Sequence, residues 1–214
     1  HRDLHSFPTR RSSDLAIIKS KLELLIQHEN LDENQLKQIS SIMDATRRIS
    51  RLNQGLLLIS KIENNQFPVT SEIDVPEIIR HILDSFEEML TMKEIRVNFA
   101  PSDFPRIHMN LSLAETFFNN LISNAIKHNF TGGILEIHTD HQTVTIVNNG
   151  PELKLPPERM FERFRKTGHH EDSTGLGLSI VKKIAELYRY DIQYSHTGNL
   201  HSVTVDFGHN MLQN

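Results

Sequence analysis

The sequence predicts an α+β protein, an antiparallel helical hairpin followed by a two-layer α/β sandwich, and three observations carry that expectation. Apolar residues keep an alternating three-and-four spacing through Leu15, Ile18, Leu22 and Leu25, and again through Ile42, Ala45, Ile49, Leu52, Leu56 and Ile59. This is the seam pattern of helices that pack along their length. Apolar and polar residues alternate with period two across 133–139 and 143–148, as in strands with one buried face. Between these lies AETFFNNLISNAIKHN at 114–129, whose Phe117, Phe118, Leu121, Ile122, Ala125 and Ile126 fall on one helical face, opposite a polar edge. Helices and strands covering one another in this order place the helices on one face of a mostly antiparallel sheet.

Taken in order, 1–14 (HRDLHSFPTRRSSD) has no apolar period and contains Pro8, so it is set aside from the fold as non-native or disordered. The hairpin occupies 15–63, with helices over 14–28 and 33–63. At ~1.5 Å per residue the second is roughly 46 Å long and the first about 22 Å, so the upper half of the first helix is missing. Such a pair has too little core to stand alone. Its seam is expected to close against a second copy as a four-helix bundle, the alternative being packing on the C-terminal unit. A linker with Pro68 spans 64–71, and the second domain runs over 72–208 before a short tail, 209–214. Within it we expect a strand at 73–75, a helix at 76–93, strands at 95–99 and 106–109, the Asn-rich helix, and two strands about a turn at Asp140-His141. A short helix at 157–164, a polar stretch to Thr174, a helix at 175–188 and strands at 191–196 and 202–207 complete it.

Composition narrows the function. With 214 residues, 23 Lys+Arg and 27 Asp+Glu, the net charge is −4, and no basic run argues for nucleic acid. There is no cysteine, hence no disulfide and no thiol nucleophile. No apolar run approaches the ~20 residues of a membrane helix, and no leader is recognisable, so a cytoplasmic location without membrane contact is expected. Thirteen histidines, His169-His170 among them, come without the paired spacing of a transition-metal site.

Asn120, Asn124 and Lys127 or His128 line up along one edge of their helix. The row offers amide oxygens to a hydrated cation and positive charge to phosphate. Magnesium keeps most of its waters and accepts a few hard oxygens, which an Asn carbonyl supplies without adding charge. Alone, the row reads equally as a solvated helix edge.

Three further stretches decide it: Val147-Asn148-Asn149-Gly150, then Met160-Phe161-Glu162-Arg163-Phe164-Arg165-Lys166, then Ser173-Thr174-Gly175-Leu176-Gly177-Leu178-Ser179-Ile180-Val181. With the Asn helix, and in the same order, they resemble the N, G1, F and G2 boxes of the ATP-binding domain of sensor histidine kinases. The resemblance covers about 72–208, and the hairpin looks like that family's dimerisation domain. It implies the histidine kinase/Hsp90-like ATPase fold, ATP and Mg2+ as ligands, a homodimer, and a response regulator receiver domain as partner. Asn124 would hold magnesium, with Asn120 beside it; Lys127, His128 and Lys166 would meet phosphate. Thr174, Gly175, Leu176, Gly177 and Leu178 would cradle the phosphates at a helix N-terminus, where unpaired N–H groups and the dipole favour an anion. Phe161 and Phe164 would pack the base of a lid at 165–174, and Asn148 and Gly150 would receive adenine.

Two departures from the family pattern stand out. Its Asp-x-Gly-x-Gly is here Asn148-Asn149-Gly150-Pro151-Glu152, so Asn148 accepts from adenine without charge assistance and the loop after Gly150 takes another path. The phospho-acceptor register counted back from Leu15 falls on Thr9, with Arg10 where an acidic base belongs, so no catalytic acceptor histidine is assigned. His5 is out of register, and Pro8 is expected to deny it a helix. The related gyrase- and Hsp90-type hydrolases place a Glu base where Asn120 stands, and an amide takes no proton from water. The expectation is therefore an N-terminally truncated sensor histidine kinase that binds Mg·ATP without phosphorylating itself. Its rivals are a nucleotide-binding interaction module and an anti-sigma-type Ser/Thr kinase.

Overall fold

The computed structural model describes residues 7–27, 31–101, 106–153, 155–165 and 174–208, with the backbone alone for 7–13. Two helices open the chain, α1 (Phe7–Ile26) and α2 (Glu33–Glu63), and pack against each other. The start of α2 is set by a capping box. Asp32 accepts from the Gln35 backbone at 2.8 Å, and the Gln35 side chain accepts from the Asp32 N–H at 2.9 Å. Its bounds are those the heptad spacing predicts.

The first helix is a correction, because it begins at Phe7 and not near residue 14. Pro8 lies in its first turn, where the missing N–H has no intrahelical partner anyway, so the ring does not stop the helix. At 20 residues α1 remains shorter than the 31-residue α2. His1 and His5 lie outside the described residues.

The second domain opens with β1 (Ser71–Ile73), α3 (Val75–Ser85), α4 (Glu87–Met92), β2 (Arg96–Phe99) and β3 (Ile107–Met109). It continues through α5 (Leu111–Lys127), β4 (Ile134–Asp140), β5 (Thr143–Asn149), a short 3-10 helix (Pro157–Phe161), α6 (Gly177–Tyr188), β6 (Asp191–Thr197) and β7 (Leu200–Asp206). The expected helix over 76–93 is two helices. Phe86 leaves helical geometry at φ −104°, ψ 6°, and its N–H closes a tight bond on Leu83 O. Five strands form one sheet in the order β2-β4-β5-β7-β6, antiparallel except for the parallel β2–β4 pair, and β1 pairs with β3 in a small ribbon. The β4–β5 turn falls on His141 and Gln142, one residue later than expected.

One face of the sheet turns Leu135, Ile137, Val144, Ile146 and Val205 into the core. Against it lies α5, flanked by α3 and α6. Asn110 caps α5 by accepting from Leu113 N–H at 3.2 Å, and its own N–H donates to the Tyr188 hydroxyl at 2.9 Å. Phe117 and Phe118 are wholly buried, edge-on to one another, and Phe118 stacks on Phe207. Truncating either ring to Ala typically costs about 3–5 kcal/mol. Burial of the apolar face of α5 thus fixes where its polar edge emerges.

Candidate nucleotide site

The edge of α5 emerges into a cavity of about 430 Å³ lined mainly by three elements, with Met160 and Arg165 added from the 3-10 helix and the residues after it. Asn120, Asn124, Lys127 and His128 come from α5, and Thr174, Gly175, Leu176, Gly177 and Leu178 from the segment leading into α6. The third contributor is α2, through Arg51, Gln54, Gly55 and Leu58. Nine of the residues expected to bind nucleotide therefore line one space.

The approach of α6 to α5 depends on glycine. A Cβ on Gly177 would stand 2.9 Å from Asn120 Oδ1. The Asn120 amide nitrogen donates to Thr116 O at 2.8 Å, which turns that oxygen toward Gly177. Gly175 has φ +69°, and a Cβ there would meet Arg165 O and Phe164 C at 2.8 Å. Its carbonyl accepts from Phe164 N–H at 2.9 Å, and Phe164 is itself left-handed at φ 63°. With Gly175 outside helical space, α6 starts at Gly177 and not at 175 as expected. No side chain caps α6, so its first N–H groups lack a side-chain acceptor where Gly177 and Leu178 line the cavity.

The far end of the polar row is held by Lys93. Its Nζ donates to the carbonyls of Ile126 at 2.9 Å, Lys127 at 3.0 Å and Asn129 at 3.3 Å, a cation on the C-terminus of α5. Burial pushes the Lys93 pKa below its ordinary value.

Other expected residues lie elsewhere. Phe161 packs partly buried, edge-on to Tyr194, with Lys182 Nζ 6.0 Å above its ring. Phe164 is 58% exposed and closes the base of the 165–174 segment through its backbone rather than its ring. Asn148 and Gly150 are buried and do not line the cavity. Gly150 backs onto it, since a Cβ there would be 3.1 Å from His128 O. Lys166 lies outside the described residues, as do His169 and His170.

Sequence reasoning missed the contribution of α2. Gly55 is buried, and a Cβ there would sit 2.9 Å from Leu176 Cδ1, so the helix presses directly on the cradle. The ion pair of Arg163 with Glu63 at 2.9 Å joins the two regions again. An isolated glycine within a helical run was the available signal.

The donor set fits magnesium. Asn120 and Asn124 offer amide oxygens to the cavity beside the start of α6, hard neutral donors of the kind magnesium accepts. An ion held there would be one that keeps most of its waters.

A cavity walled by an Asn-rich helix and a glycine-rich helix start, over a mixed sheet, defines an ATP-binding domain. Residues 110–209 match the family described as histidine kinase-, DNA gyrase B- and HSP90-like ATPase. The heme sensor protein HssS of Staphylococcus saprophyticus is 32% identical over 172 residues, 77% of this chain and 37% of that protein. HssS of Staphylococcus aureus is 32% identical over 182 residues, 81% and 40%. The chain thus spans about 40% of the length of the curated relatives it matches. Among solved structures, full-length ShkA bound to AMPPNP shares the fold at TM-score 0.76 and 16% identity, over 98% of this chain and 46% of that one. The histidine kinase AdeS of Acinetobacter baumannii shares it at TM-score 0.66 and 22% identity, over 91% and 95%. The family match and the relatives together support a catalytic fragment of a sensor histidine kinase. These relatives favour that reading over the interaction-module and anti-sigma alternatives. No described helix is long and apolar enough to cross a membrane.

Proposed function

We propose that the chain binds Mg·ATP in the α2–α5–α6 cavity and that, in the full-length protein, the γ-phosphoryl group passes to a histidine and then to an aspartate of a response regulator receiver domain. The observation that carries this is the convergence of two separate stretches, the α5 row and the glycine segment before α6, on one space. The backbone N–H groups at the start of α6 bind phosphate oxygens. Lys127 adds charge and His128 a ring N–H beside them, and Asn124, with Asn120 at its flank, supplies amide oxygens to magnesium. When bound, the ion neutralises phosphate charge; the chain contributes position and electrostatics. Asn148 accepts from the base amino group. Because α1 carries no histidine between Phe7 and Ile26, no acceptor stands on this helix.

The chain is proposed to act as a cytoplasmic homodimer. Ile18, Leu25, Ile42, Ile49 and Leu56 are all 40–50% exposed along the hairpin, the surface a second copy would cover in a four-helix bundle.

Calorimetry with Mg·ATP tests the site. Asn124→Asp and Gly177→Ala should each weaken binding several-fold, and equal affinity in all three proteins would overturn it. Sedimentation tests assembly, because Ile49→Glu with Leu56→Glu should yield monomer where the parent is a dimer.

A further inference from the structure

We propose that His201 is a positioning residue for base recognition, holding the 148–152 loop where the second glycine of the related motif has become Glu152. The inference rests on the nucleotide reading above and concerns the end of the site that the cavity does not reach.

His201 lies directly opposite Asn148 in the β5–β7 ladder, so both side chains leave the same face of the sheet. Both are buried, at 6% and 7% exposure. The Cδ2–Nε2 edge of the imidazole abuts the loop, since a Cβ on Gly150 would fall 2.7 Å from both atoms. Its two nitrogens have different partners. Nε2 is 2.9 Å from Pro151 O, and Nδ1 is 2.7 Å from the Tyr194 hydroxyl.

Those partners settle the tautomer. The Pro151 carbonyl can only accept, so Nε2 carries the hydrogen; Nδ1 of the neutral ring then accepts from the Tyr194 O–H. Burial favours that neutral ring by pushing the His201 pKa down, and raises that of Tyr194 to about 12. Phe161 braces Tyr194 edge-on, with ring centroids 6.4 Å apart. A line of contacts therefore runs from the 3-10 helix through Tyr194 and His201 to the Pro151 carbonyl.

The loop is fixed from two more sides. Gly150 N–H donates to Asn199 O at 2.9 Å, and Gly150 abuts His128 O at the C-cap of α5. Within it, the Asn148 amide nitrogen donates to Asn149 O at 2.7 Å. That commits the nitrogen and leaves the Asn148 oxygen as the acceptor for a base amino group. A neutral amide that turned over would present its donor instead, so holding the loop also holds the choice of base.

The test separates base from phosphate binding. A fluorescent ATP analogue on the intact chain is displaced by ATP, GTP or inorganic tripolyphosphate. Loss of a buried hydrogen-bond partner predicts that His201→Ala weakens ATP about tenfold. Tripolyphosphate should be unaffected, because the cradle is untouched. His201→Gln places an N–H donor at the Nε2 position and should keep ATP affinity near that of the parent. ATP binding unchanged in His201→Ala would overturn the proposal. Loss of ATP in His201→Gln with tripolyphosphate retained would overturn it equally. If His201→Ala loses both ligands through misfolding, parental affinity in His201→Gln still supports it. A parent chain that binds neither ATP nor tripolyphosphate refutes the nucleotide reading itself.

Discussion

The phosphate end and the base end of the site are built by different means. At the proposed phosphate end, backbone groups would do the recognising, and the decisive side chains are absent ones: a Cβ on Gly177 would stand 2.9 Å from Asn120 Oδ1, and one on Gly175 would meet the Phe164 and Arg165 backbone. At the proposed base end the recognising group would be a side chain, Asn148, buried behind the cavity and tied to Asn149 O, with His201 and Tyr194 as braces. A backbone cradle tolerates changes in its surroundings but admits no Cβ. The braced side chain reverses this, allowing substitution nearby but failing when its own polar partners are lost.

The largest expected effect follows from the cradle. Gly175→Ala forces a left-handed Cβ into the Phe164 and Arg165 backbone, a conformation that alone costs roughly 1–2 kcal/mol before the contact is counted. Both ATP and tripolyphosphate should bind at least about tenfold more weakly, since 1.4 kcal/mol is a factor of ten. Displacement titration reads both, and loss of ATP alone would erase the distinction between the two ends.

A smaller effect of opposite flavour is expected at Asn148. The family pattern carries Asp here, and restoring it would be expected to tighten ATP through a charge-assisted bond. This structure predicts the reverse. In Asn148→Asp a carboxylate oxygen replaces the nitrogen that donates to Asn149 O at 2.7 Å, so two acceptors face one another in a buried place. ATP should weaken about threefold, on the order of 0.7 kcal/mol, with tripolyphosphate unchanged and the thermal midpoint lowered. Tighter ATP binding would mean that the loop reverts to the family path.

The smallest effect is a pH slope. Burial holds the His201 pKa below its ordinary value of about 6.5. The unfolded chain therefore binds a proton more readily than the folded one, and stability rises with pH in this window. The contribution of His201 should be complete above about 6.5 and fall as the pH drops below it. Denaturant titrations at neutral and mildly acidic pH should show a shallower slope in His201→Gln.

What could be read from the sequence follows the same division. The row Asn120, Asn124, Lys127, His128 is legible because helical period alone places it on one edge, and heptad spacing gives the bounds of α2. The glycine segment is legible as a local motif. His201 is not, because only strand register brings it opposite Asn148, and register is set by the packing of the whole sheet. The break at Phe86 was hidden for a similar reason, since the side chain packs against the core and overrides a helical pattern that runs through it.

Gly55 makes α2 a cam. It is the helix's single glycine, and it sits where even one added carbon would come 2.9 Å from Leu176 Cδ1. Turning α2 by one residue, about 100°, replaces that hollow with Gln54 or Leu56; advancing it by one turn brings Arg51 or Ile59. Each of these has to push Leu176 aside, and Leu176 stands between Gly175 and Gly177. Any turn of α2 would therefore be felt first at Leu176, between the two glycines that open α6.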